Sequence, residues 1–233
     1  MVRIFGYGED ALTLWALKEQ VAAILMTFGD KTAASNCLFF YRPSFGRSGG
    51  AGSAEFGEFD AVIASRENIY LIESKWDNLG NYKKEQLLLR DEQLIRHRVF
   101  AWYLTHWSKK YSGKWQKFVD DNKGNFIAGK KLPDVQEGKQ SLLATNLEFT
   151  LTKLLEHYKG FSSRSNIKNV LLFFYDSRVS TPPIETDANF TLIPIDFSNI
   201  YIFLLKLFFY IFQTKEQLSQ VCVVVCYALL ILC

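Results

Sequence analysis

Apolar positions recur at helical spacing across residues 9–28, EDALTLWALKEQVAAILMTF, with Leu14, Leu17, Val21, Ile24, Leu25 and Phe28 forming a stripe. Glu9 and Asp10 fall in the first turn, where a helix dipole favours acids, and the spacing predicts an amphipathic helix ending at Gly29. Leu38 to Tyr41 is a short strand candidate, followed by a Gly/Ser-rich loop from Ser44 to Ser53. Residues 58–64 (EFDAVIA) and 69–76 (IYLIESKW) are β-branched and aromatic runs separated by the polar tetrapeptide SREN, a hairpin signal. A long helix is expected from about Lys83 to Tyr111, its stripe formed by Leu88, Ile95, Val99 and Trp102. Residues 112–140 read as loop, 141–158 as a further helix, and 169–175 (NVLLFFY) as a strand buried on both faces. The proline pair 182–183 marks a turn, and 190–197 (FTLIPIDF) is a strand interrupted by Pro194.

These elements imply an α/β fold in which a mixed central sheet containing the 58–76 hairpin is flanked by the 9–28 and 83–110 helices. A length of 233 residues suits one sizeable core, so residues 1–197 are expected to form one domain. Residues 198–233 stand apart as a hydrophobic, helical C-terminal segment. Its two apolar runs, IYIFLLKLFFYIF and VCVVVCYALLILC, are both shorter than the roughly 20 residues a membrane-spanning helix needs. Buried helices or a dimer interface suit them better than a membrane contact.

Charge changes the picture through its distribution. The formal net charge of +3 is too mild to demand a nucleic-acid partner. Between residues 83 and 117, however, nine Lys and Arg side chains interleave with Trp102, Tyr103, Trp107, Tyr111 and Trp115. That segment is either a basic groove wall offering rings for stacking or an amphipathic helix with a solvated charged side. The cysteines, at 37, 222, 226 and 233, make no Cys-x-x-Cys pair and have no His spaced to complete a zinc site. A reducing compartment fits them, and the charges at Arg3, Glu9, Asp10 and Lys18 leave no uninterrupted signal-peptide core, so a cytoplasmic location is expected.

The hairpin carries the candidate chemistry. Residues i and i+2 of a strand share a face, so Glu73 and Lys75 project together. A symmetric loop centred between Arg66 and Glu67 pairs residues whose numbers sum to 133, which sets Asp60 opposite Glu73. Opposed residues have Cβ atoms about 4.5–5.5 Å apart, and two like charges at that spacing destabilise a sheet unless a cation neutralises them. Oxygen ligands of this kind suit Mg²⁺ or Mn²⁺, with substrate phosphate and water completing the coordination. Lys75 is placed to oppose the negative charge that grows on a phosphate under attack.

Asp60, twelve intervening residues, then Glu73-Ser74-Lys75 resembles the core signature of the PD-(D/E)XK nuclease superfamily, which includes restriction endonucleases and archaeal Holliday-junction resolvases. The resemblance covers roughly residues 5–110, and Phe59 stands where the motif has its Pro. It implies a restriction-endonuclease-like core and Mg²⁺-dependent endonucleolytic cleavage of DNA, with Asp60, Glu73 and Lys75 catalytic. It also implies an assisting acid in the first core helix, a position matched by Glu9, so the expected metal ligands are Asp60, Glu73 and Glu9. A polar residue on the helix after the hairpin is common in the family. Here Glu92, Gln93 and Arg96 share a helix face, Gln93 or Glu92 for a metal-bound water or a base and Arg96 for a phosphate. Arg42 and Ser44 precede the Gly-rich loop, which resembles phosphate-contacting loops of resolvases. Cleavage of both strands favours a homodimer. The rival expectation is a noncatalytic nucleic-acid-binding protein on a nuclease scaffold.

Overall fold

The computed structural model describes residues 8–46, 52–77, 85–124, 130–133, 135–136, 139–157 and 166–198. Helices α1 (Gly8–Glu19) and α2 (Val21–Thr27) open the chain, followed by strands β1 (Leu38–Tyr41), β2 (Ser44–Phe45), β3 (Gly57–Glu58), β4 (Ala61–Ala64) and β5 (Ile69–Trp76). Then come β6 (Gln86–Leu87), α3 (Asp91–His106), α4 (Trp115–Asn122), the short strands β7 (Val135–Gln136) and β8 (Lys139–Gln140), and α5 (Leu142–His157). Strands β9 (Ile167–Tyr175), β10 (Glu185–Thr186) and β11 (Thr191–Asp196) complete the described chain.

Five strands form one mixed sheet in the order β1-β4-β5-β9-β11, with β1, β4 and β5 antiparallel and β9 and β11 running parallel to β5. The α/β expectation holds. Period-two alternation along β5 divides its side chains between two cores. Tyr70 and Ile72 join Ala16, Val21, Ile24 and Leu25 of α1 and α2 on one face. Ile69 and Leu71 join Val99, Phe100 and Trp102 of α3, Phe118 of α4 and Leu147 and Leu151 of α5 on the other.

Several elements depart from their expected form. The 9–28 helix breaks at Gln20 (φ −111°, ψ 1°) into α1 and α2. It still ends at Gly29, whose φ of 69° is the left-handed geometry a glycine supplies after a helix. The expected long helix begins only at Asp91, where the Gln93 side chain reaches back to accept the Arg90 N–H at 3.2 Å. Leu88 therefore lies outside the helix and is exposed, while Val99 and Trp102 keep their core positions. Part of the expected 112–140 loop is α4, held by buried Trp115 and Phe118. Ser44 and Phe45, expected in a loop, pair with β3.

The aromatic half of the basic groove wall is overturned. Trp102, Tyr103, Trp107, Tyr111 and Trp115 are all buried, and Trp107, Trp115 and Phe118 pack ring against ring. Each stabilises the fold by about 1.5–3 kcal/mol through burial and offers no face for a base. Lys109, Lys110, Lys114 and Lys117 are the solvated side.

Strand β11 is one of the two edges of the sheet among the described residues, β1 being the other. Phe197 N–H donates to the Tyr175 carbonyl, so by alternation the odd-numbered amides of β11 point to β9 and the even-numbered ones point outward. Pro194 takes an outward position, the place an edge strand tolerates proline. No helix among the described residues is long and apolar enough to cross a membrane. The expected C-terminal segment, from residue 199 on, lies outside the described residues.

Candidate active site

The hairpin register is the one the symmetric loop predicts: Ala61 pairs with Ile72 and Ala64 with Ile69, which brings Asp60 level with Glu73. Asp60 sits one residue before β4, and its Oδ2 accepts the backbone N–H of Ser74 at 2.6 Å. Its second oxygen accepts no hydrogen bond among the described residues. Burial first, then the negative charges of Glu73 and Glu9, push the Asp60 carboxyl up to about 7, against the opposing pull of the Ser74 N–H and Lys75.

Glu9 reaches the same corner from the start of α1. Gly8, with φ 52°, packs so closely on the Trp76 ring that an added Cβ would lie 3.2 Å from it. Thr13 Oγ1 sits 2.8 Å from both the Glu9 carbonyl oxygen and Ser74 Oγ, tying the helix to β5. Glu9 Oε1 lies 3.7 Å from Lys75 Nζ, and that ammonium donates to the Ser74 carbonyl at 2.6 Å. Burial raises the Glu9 carboxyl above its ordinary value, outweighing Lys75 and the Trp76 N–H. Asp60, Ser74, Lys75 and Glu9 therefore occupy one end of the hairpin.

Glu73 turns toward α3 and is enclosed there. Its Oε2 accepts from Gln93 Nε2 at 2.6 Å, and its Oε1 from Arg96 Nη1 at 2.7 Å, with His97 Nε2 at 3.2 Å. Burial would push this carboxyl up, but the His97 hydrogen bond, the Arg96 charge and the Gln93 hydrogen bond hold it below its ordinary value. Behind it, His97 Nδ1 lies 2.8 Å from Asn169 Oδ1, and Asn169 Nδ2 donates to the Asn189 carbonyl. The Arg96 guanidinium lies over the Phe59 ring and against Gly57, where φ is 102° and an added Cβ would stand 2.9 Å from Nε.

The residues expected to bind nucleic acid are thus split. Gln93 and Arg96 are engaged with Glu73. Glu92, the alternative to Gln93, points to solvent. Arg42, with a left-handed φ of 49°, bridges Asp10 Oδ2 at 2.5 Å and Glu58 Oε1, whose nearest contact is with Nη2 at 2.5 Å. Ser44 is exposed on β2. The sequence groups His97 with Glu92, Gln93 and Arg96 on one helix side but gives it no role, and it does not single out Asn169. His97 follows Gln93 by one helical turn, and Asn169 is the polar opening of an otherwise apolar run, signals visible only once α3 is known to cross that strand.

Among the described residues no three His, Cys, Asp or Glu side chains are grouped so as to hold a metal ion. The three carboxylates differ in their fit to a divalent cation. Asp60 has one oxygen that accepts no hydrogen bond among the described residues, and Asp60 and Glu9 are both raised by burial, a stress that a cation relieves. Glu73 already has donors on both oxygens. No family model matches the chain, and neither a curated protein nor a solved structure matches it.

Proposed function

We propose that the protein is a metal-dependent endonuclease of the PD-(D/E)XK kind that hydrolyses phosphodiester bonds of DNA. The observation that carries this reading is the meeting of Asp60, Glu9 and Lys75 around the Ser74 backbone, on a hairpin whose register brings Asp60 level with Glu73. Burial first, and then the charges of Glu73 and Glu9, push the Asp60 carboxyl up to about 7, and a cation at this site would relieve both effects.

Mg²⁺ or Mn²⁺, held by Asp60 and Glu9, would supply an activated water and a clamp on the phosphoryl oxygen. Lys75, beside Glu9 and half-exposed, opposes the charge that grows on the phosphate as it is attacked. Arg42 lies on the same side, next to Asp10 and Glu58, and a phosphate can compete for its exposed guanidinium. Two active sites are needed to cut both strands in one encounter, so a homodimer accompanies the reading.

The test is incubation of the purified chain with plasmid, linear and branched DNA in Mg²⁺, Mn²⁺ or chelator. Nicking, linearisation or junction resolution that requires the metal and disappears in Asp60→Asn is the expected result. A second reading, a DNA-binding protein without catalysis, draws support from the closure of Glu73 by Arg96 and of Arg42 by two acids. It predicts binding that persists in EDTA with no cleavage under any condition.

A further inference from the structure

We infer that Glu73, the acid of the Glu-x-Lys pair, is a positioning residue and not a metal ligand, its carboxylate being the hub of an internal network with Gln93, Arg96 and His97. The inference rests on the nuclease reading and assigns roles within that same site.

Three observations carry it. First, the Glu73 side chain is 1% exposed, against 34% for both Glu9 and Lys75. Mg²⁺ dehydrates reluctantly and keeps several waters when bound to protein, so it favours carboxylates that water can reach. Second, both Glu73 oxygens are engaged at hydrogen-bond distance, by an amide, a guanidinium and an imidazole. A cation entering there would have to displace Arg96, whose side chain is itself only 13% exposed and is boxed in by Phe59 and Gly57. Third, the network continues past Glu73. His97 passes from Glu73 to Asn169, and Asn169 to the Asn189 carbonyl, linking β5, α3, β9 and the segment before β11.

A carboxylate joined to that many elements fixes the strand end that carries Ser74 and Lys75. Ser74 N–H aims Asp60, and the Lys75 ammonium sits beside Glu9, so both reacting groups take their placement from the β5 backbone on either side of a pinned residue. Arg96 supplies the positive charge that Glu73 needs, leaving cation binding to Asp60 and Glu9.

The experiment has two arms on the full chain. Mn²⁺ binding is measured by electron paramagnetic resonance in the wild type, in Asp60→Asn, and in the charge-balanced double variant Glu73→Gln/Arg96→Met. The double variant should bind Mn²⁺ within about tenfold of wild type, as expected for residues outside the coordination sphere. Its kcat on plasmid DNA should fall about 100-fold with KM little changed, the penalty of misplaced groups. Asp60→Asn should lose the ion. Loss of Mn²⁺ from the double variant to the extent seen in Asp60→Asn overturns the inference, as does an unchanged kcat, which would make the network structural only.

Should the double variant fail to fold by circular dichroism, Mn²⁺-soaked wild-type crystals decide the matter by anomalous diffraction. An ion on Asp60 with Glu73 still joined to Arg96 supports the inference, and an ion on Glu73 overturns it. Metal-dependent cleavage with the ion on Glu73 would sink this assignment alone. Mn²⁺ binding without cleavage would sink the nuclease reading and with it the positioning role, while the place of the ion still decides whether Glu73 is a ligand; a wild type that binds no Mn²⁺ sinks both.

Discussion

The two ends of the β4–β5 hairpin each hold an aspartate, and the two are treated in opposite ways. At the turn, Asp30 is buried among donors: Ser65 Oγ at 2.5 Å, Tyr70 OH at 2.7 Å and Asn68 Nδ2 at 3.1 Å on Oδ2, and the Thr32 N–H at 2.9 Å on Oδ1. Burial would raise its carboxyl, but the hydrogen bonds from Ser65, Thr32 and Tyr70 outweigh it and bring the value to about 2. At the open end, Asp60 receives one backbone N–H and faces two other acids, and its value rises to about 7. Burial acts on both groups. Donors outweigh burial at Asp30, whereas at Asp60 burial prevails with two neighbouring acids on its side, which separates a carboxylate that fastens the fold from one that a cation would relieve.

The largest break in this comparison is chemical. Asp60→Asn should reduce metal-dependent cleavage to background while the circular dichroism spectrum stays native, because an amide oxygen can still accept the Ser74 N–H. Lys75→Met should cost about 10²–10³-fold in kcat, the scale of removing one preorganised stabilising group, measured under saturating DNA.

The next effect falls on stability and belongs to the other end. Asp30→Ala leaves Ser65, Asn68 and Tyr70 as buried donors without their acceptor, a loss of about 3 kcal/mol in denaturant titrations. Cleavage per folded molecule should be unchanged.

The pH dependences of the two groups run in opposite directions. Asp30 has a folded value of about 2 against an ordinary 3.8, so its contribution is complete above pH 4 and is lost as pH falls through 2. By the same linkage it amounts to about 2 kcal/mol. Asp60 has a folded value of about 7, so the native state holds the extra proton between pH 4 and 7 and stability falls as pH rises through that window. Asp60→Asn should therefore raise Tm at pH 8 and leave it nearly unchanged at pH 4. A Tm increase of equal size at both values would refute the coupling. The smallest effect is expected at Arg42. Its ion pairs with Asp10 and Glu58 are about 44% exposed on the arginine side, so Arg42→Ala should alter stability by less than about 1 kcal/mol. It should also weaken DNA binding and flatten its salt dependence.

The open end of the hairpin was legible in the sequence because its information is local. Four apolar residues on either side of SREN allow one symmetric register, and that register fixes where Asp60, Glu73 and Lys75 stand. Glu9 stood out as an acid in the first turn of a helix, at the position where the family resembled has an assisting acid, and the structure packs that helix on β5. The closure of Glu73 was not legible. Gln93, Arg96 and His97 could be placed on one helix side, but whether that side meets the strand's charge or a substrate's depends on the path of α3 across the sheet. The helical break at Gln20 was hidden because the apolar stripe runs through it without losing phase. The Trp and Tyr residues between 102 and 115 misled in the opposite sense, since a ring among lysines reads alike in a groove and in a core until the packing partner Phe118 is in view.

Pro194 bears on how two copies of this chain could meet. Strand β11 presents its even-numbered amides outward, and the one at position 194 carries no hydrogen, so a second strand laid along that edge would lack a donor in the middle of its ladder. Joining two sheets edge to edge through β11 is therefore disfavoured, which also blunts the rim against fibrillar growth. Among the described residues, the helix faces and the opposite rim at β1 are left for a two-fold assembly able to sever both strands of a duplex.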